Sequence, residues 1–91
     1  MLHKSVLAAC KRAGIPVTEY PRTGHDGQPT SSEWVGHGKT HRIEWYASGP
    51  ETRLGSVYVI RHGAQDDLMT DYWAGSFVRT VSRAVAWANG E

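Results

Sequence analysis

Residues 41–47 read HRIEWYA and alternate: His41, Ile43, Trp45 and Ala47 lie on one side of an extended chain, Arg42, Glu44 and Tyr46 on the other. A two-residue repeat with one mainly apolar side marks a half-buried antiparallel strand. It constrains the fold more than any other stretch, because the Ile43 and Trp45 side needs a cover and the strand needs partners. Partners are close in sequence. Ser56 to His62 is apolar on both faces as far as Arg61, which suits a central strand, and Leu68 to Trp73 reads as a third. Glu33 to His37 adds a marginal fourth. Ile15 to Tyr20 also alternates, but Pro16 and Pro21 confine it to an edge or to coil.

The cover comes from the chain ends. Leu2, Val6, Ala9, Cys10 and Ala13 recur at helical spacing, with His3, Lys4, Lys11 and Arg12 off that stripe. Gly14 suits the left-handed C-cap and Pro16 forbids continuation. At the other end, Ser76 reads as the cap of a helix whose stripe is Phe77, Val78, Val81, Ala84, Val85 and Ala88. Arg79, Ser82, Arg83 and Ala86 then point outward, Trp87 sits on the flank, and Asn89-Gly90 ends the helix. The expected fold is α+β: helix, three- or four-stranded antiparallel sheet, helix, with both helices packed on one sheet face. Residues 21–32, rich in Gly, Pro, Ser and Thr, read as a mobile surface loop.

With 91 residues the chain has material for one core, so residues 1–91 are expected to form a single domain. A net charge of +1 disfavours binding nucleic acid by bulk electrostatics, although a local patch remains open. Cys10 is the sole cysteine, which excludes an internal disulfide and suits a reducing, cytoplasmic setting. No apolar run approaches the roughly 18 residues of a membrane helix, and no export signal is legible. Seven arginines against three lysines suggest a GC-rich bacterial or phage origin.

Several short motifs touch on chemistry. His37 and His41 stand four apart, a metal-binding spacing on a helix, but Gly38 and the alternation after it argue for a strand, so no metal is expected. Asp66, Asp67 and Asp71 form a DDxxxD cluster better explained by turn chemistry than by a cation. Cys10 lies on the apolar stripe, the usual place of a small buried thiol. No cofactor is implied.

VYVIRHG, residues 57–63, resembles the strand of the histidine phosphatase family that ends in Arg-His-Gly. That family implies a phosphorylated His62 backed by a second His, further arginines and an acid. The 28 residues after Gly63 contain no His, so no catalytic residue is assigned and an RHG phosphoryl-transfer enzyme stays a remote alternative. GHGKT, residues 36–40, resembles the tail of a phosphate-binding P-loop, with Glu33 where the first glycine belongs; HRIEWYA after it reads as a strand, so a glycine-rich turn is expected. The order helix, strands, helix, with KRAGIPVTEY and a loop holding Gly24-His25, resembles double-stranded RNA-binding domains. The segment DYWAGSF and the amphipathic helix after it are similar to small proteins of actinobacteria and their phages.

Basic and aromatic side chains intermix at Arg42, Tyr46, Arg61, Trp73, Arg79, Arg83 and Trp87, a mixture enriched at protein interfaces and able to stack bases. The expected function is a small non-enzymatic binding protein, phage- or mobile-element-encoded, that uses these residues to dock on a protein partner or on itself. The alternative is a nucleic-acid-binding domain with Arg79 and Arg83 on phosphates.

Overall fold

The computed structural model describes residues 1–28, 30–63 and 75–91. Among them run helix α1 (His3–Arg12), strands β1 (Val17–Tyr20), β2 (Ser32–His37), β3 (His41–Ala47), β4 (Val57–Arg61) and β5 (Gly75–Val78), and helix α2 (Val81–Ala88). The class is α+β, but the antiparallel sheet has five strands in sequence order, β1-β2-β3-β4-β5, not three or four. The alternation of β3 holds: Ile43, Trp45 and Ala47 are buried. Register places Gly36 and Val59 on either side of Ile43, and Trp34 opposite Trp45. Val6 and Cys10 of α1 and Ala84 and Ala88 of α2 close over this face in one core cluster.

Two expectations change. The weak segments at Ile15–Tyr20 and Glu33–His37 are both real strands, β1 as an edge and β2 fully paired between β1 and β3. The expected strand at Leu68–Trp73 lies outside the described residues. The helix assigned from Ser76 begins instead at Val81 with Thr80 as N-cap, while Ser76, Phe77 and Val78 belong to β5. The reason is tertiary. β4 carries Val57, Val59 and Ile60, all buried, and needs a partner on each edge; β5 supplies the second through Val57↔Val78 and Tyr58↔Phe77. Phe77, expected on the buried helical stripe, is 68% exposed on the sheet's outer face. Replacing Phe77 with Ser is therefore expected to change unfolding free energy by no more than about 0.5 kcal/mol. In a urea titration, a loss of several kcal/mol would return Phe77 to the core.

The C-terminus of α1 follows its sequence signals: Gly14 has φ +73 and the Ile15 amide donates to Cys10 O at 2.8 Å, closing the last turn. Its N-terminus does not. No side chain caps it. The SGPETRLG connection between β3 and β4 folds over it instead, with His3 N–H donating to Thr52 O and Lys4 N–H to Pro50 O, while Leu2 bridges Arg53. Two helix-end donors are thus satisfied by a segment about fifty residues away in sequence.

That docking buries His3, which was expected off the apolar stripe. It is 3% exposed, packs on the Trp34 ring at 4.4 Å between centroids, and its Nδ1 accepts the Trp45 Nε1–H at 2.8 Å. Acceptance at Nδ1 requires the neutral Nε2–H tautomer. Burial lowers the His3 pKa, opposed by the nearby Glu19 carboxylate. Glu19 in turn accepts from the buried Ser32 hydroxyl at 2.6 Å. One end of the layer under the helices thus holds a polar knot that ties α1 to β1, β2 and β3.

Candidate binding site between β5 and α2

α2 covers β3, β4 and β5 with Ala84 and Ala88, whose small side chains let it sit close to the sheet. Its flank carries Arg83 and Trp87, four residues apart, and Arg79 stands in the connection from β5 just before the N-cap Thr80. The helix flank and β5, an edge strand among the described residues, leave a cleft of about 640 Å3 between them. Arg79, Arg83 and Trp87 line it together with Ser76, Phe77 and Thr80, and Glu91 stands at its far end.

The cleft is basic at the β5 end. Arg79 and Arg83 form no ion pair among the described residues. The first turn of α2 holds no acidic residue and no side-chain cap, so the partial positive charge of the helix N-terminus adds to theirs. Trp87 presents one side to the cleft and packs its ring on His41 at 5.1 Å between centroids.

A second cavity, of about 570 Å3, opens on the outer face of the sheet beside the same strand. Tyr46, Tyr58, Ile60 and Phe77 give it apolar walls, and Glu33, Glu44 and Arg53 give it polar ones. The Tyr58 and Phe77 rings, paired across β4 and β5, stack at 4.8 Å. Phe77 borders both openings.

The seven binding residues read from sequence therefore do not form one site. Arg79, Arg83 and Trp87 converge on the cleft. Tyr46 is exposed on the outer face under the Arg22 guanidinium at 5.1 Å, with its hydroxyl donating to Glu33 at 3.4 Å. Burial, with the Glu33 carboxylate next, raises its phenol pKa. Arg42, on the same face, pairs with Glu44 and is mostly buried, which makes it part of the sheet's own structure. Arg61 is exposed at the end of β4, opposite His41. Trp73 lies outside the described residues. Phe77 was missed because it fitted a helical stripe; the signal that points to it is the β-favouring pair Phe77-Val78 followed by Thr80, an alternative cap.

The chemical motifs resolve as follows. His62 is exposed, and its Nε2–H donates to Gly38 O at 2.6 Å. GHGKT runs from one strand into another, β2 into β3, so no helix N-terminus follows Thr40. His37 pairs with Arg42 on the outer face, whereas His41 lies on the helix side, so the sheet separates the two imidazoles. Among the described residues no group of three or more His, Cys, Asp or Glu side chains stands close enough to hold a metal ion. The DDxxxD residues lie outside the described residues. Cys10 is buried, and desolvation pushes its thiol up to about 11, which leaves it protonated at neutral pH. No helix of the described residues is long and apolar enough to cross a membrane.

Compared with known proteins, the chain matches no family model, no curated protein and no solved structure.

Proposed function

We propose that this chain is a small, non-enzymatic binding protein whose partner protein docks in the cleft between β5 and α2. The observation that carries this reading is the convergence of Arg79, Arg83 and Trp87, with exposed Phe77, on one opening where neither arginine has a counter-ion among the described residues. Trp and Arg supply large contact area and charge-assisted hydrogen bonds, which is why they dominate interface energetics. Three reactive side chains among the described residues are otherwise engaged: His62 on a backbone carbonyl, His3 on Trp45, Cys10 in the core.

The same cleft favours a second reading, since two arginines beside aromatic rings also suit single-stranded nucleic acid. Glu91 in the cleft and Glu33 and Glu44 on the outer face work against a polyanion.

A photo-crosslinking residue placed at Thr80, on the cleft rim, tests the assignment against the same residue at Ser5, exposed on α1. Crosslinks to a discrete protein from position 80, lost in the Arg79→Glu, Arg83→Glu double variant and missing from position 5, are the expected result. Equal labelling from both positions, or crosslinks to nucleic acid alone that vanish with added salt, would overturn it.

A further inference from the structure

The two edges of the sheet differ. β1 is bracketed by Pro16 and Pro21, neither of which has an amide proton to offer, and carries Glu19. Proline and charge are the usual means of keeping an edge strand from recruiting another. β5 has neither: it reads Gly-Ser-Phe-Val. In an antiparallel strand each residue directs its N–H and C=O to one side, and successive residues to opposite sides. Two of the four β5 residues bond β4; the other two face outward, and among the described residues no backbone hydrogen bond beyond the β4 ladder satisfies them. Among the described residues, then, an unpaired edge lies between two openings, the basic cleft on its helix side and the aromatic cavity on its outer side, both bordered by Phe77.

Resting on the cleft assignment above, we infer that the occupant is an extended acidic segment of a partner protein that adds to β5 as a sixth strand. Strand addition satisfies the outward N–H and C=O groups whatever the sequence, and side-chain alternation then sets specificity. Side chains of the added strand point in turn to the helix side and to the outer side. The helix-side positions meet Arg79 and Arg83, so carboxylates belong there. The outer positions meet the Phe77 and Tyr58 stack, so apolar or aromatic side chains belong there. The recognised pattern is acidic–apolar with a period of two. A second copy of this chain is disfavoured, because pairing β5 with β5 would bring two pairs of uncompensated arginines together.

The probe is a fluorescein-labelled octapeptide of alternating Glu with Val or Phe, followed by anisotropy against the full chain. Three comparison peptides carry Lys in place of Glu, N-methyl groups on the Glu amides, or N-methyl groups on the apolar amides. Binding by the parent, none by the Lys peptide, and loss in one of the two N-methylated peptides but not the other is the expected result, because only alternate amides face β5. Arg79→Glu with Arg83→Glu should weaken the parent by about a hundredfold, roughly tenfold per charged contact. Phe77→Ser, which leaves the fold intact, should weaken it as well. Equal effects of the two methylation patterns would overturn strand addition and leave the cleft standing. Failure of every acidic peptide, while Thr80 still crosslinks to a protein, would overturn the acidic occupant alone. A concentration-dependent dimer that blocks the peptide would assign the edge to a second copy instead.

Discussion

Gly38→Ala is expected to destabilise the protein by about 3 kcal/mol, near the upper end for overpacked sites, which for a chain of this size lowers the melting temperature by roughly 12–24 °C. A Cβ at this position would stand 2.7 Å from both the Ala88 Cβ and the His41 carbonyl oxygen, with the Ala88 carbonyl nearer still. All three of these neighbours are backbone atoms or fixed to them, so no side-chain rotation relieves the overlap. The last turn of α2 rests on this glycine: Thr40 N–H donates to Ala88 O, Lys39 N–H to the Asn89 side chain, and Asn89 Nδ2 reaches back to Ala13 O. Lifting α2 by even part of an ångström opens the core beneath Ala84 and Ala88. A companion substitution separates this from loss of glycine flexibility: Gly49→Ala, which meets nothing within 4 Å, is expected to be close to neutral. Differential scanning calorimetry of the two variants checks the pair, and similar melting temperatures would show that α2 does not dock on Gly38.

The second large effect concerns His3. Replacing it with Leu keeps the bulk but removes the acceptor of the Trp45 indole N–H, leaving a buried donor unsatisfied at a cost of about 1–3 kcal/mol. His3→Asn can present its amide oxygen near the position of Nδ1 and is expected to lose less than half as much. The two variants also differ from wild type in acid. In the unfolded chain the imidazole takes up a proton at its ordinary value of 6.5; in the folded chain burial holds that value lower. Between the two values the unfolded state binds more protons, so stability is fully present above pH 6.5 and is lost as pH falls through the folded value. His41 acts in the same direction, through burial first and then the neighbouring His62 and Arg61 charges. Urea midpoints at pH 7.5 and 5.5 should therefore fall for wild type and fall less for His3→Asn, which keeps only the His41 part. An identical acid response in both would mean that His3 is already charged in the folded state.

These effects bear on binding only through the frame that holds the site. Trp87 packs between the cleft and His41, and α2 is held at its end by Gly38, so the cleft geometry depends on both. Phe77 is the reverse case: it is 68% exposed, is expected to contribute little to folding, and borders both openings. A residue that is dispensable for stability and exposed beside an open edge is where binding and folding can be varied separately.

Local chemistry was enough for the elements whose pattern is self-contained. α1 ends at Gly14-Pro16 because the positive φ and the missing proline amide are properties of those residues. The faces of β3 follow from alternation alone, since a one-residue slip would expose Ile43 and Trp45 together. Arg79, Arg83 and Trp87 were legible only as part of a longer mixture of basic and aromatic residues; it is the fold that brings these three onto one cleft. What required the folded chain was every choice settled by a distant partner. Ser76 to Val78 satisfies both a helical stripe and a strand; pairing with β4 decides, because Val57, Val59 and Ile60 are buried and demand a neighbour on that edge. His3 reads as solvent-facing until the connection between β3 and β4 folds over the start of α1 and Trp45 comes within hydrogen-bonding distance. The division has one physical source: periodicity and capping act within a few residues, whereas the burial of a polar atom and the pairing of an edge are fixed only when segments remote in sequence meet.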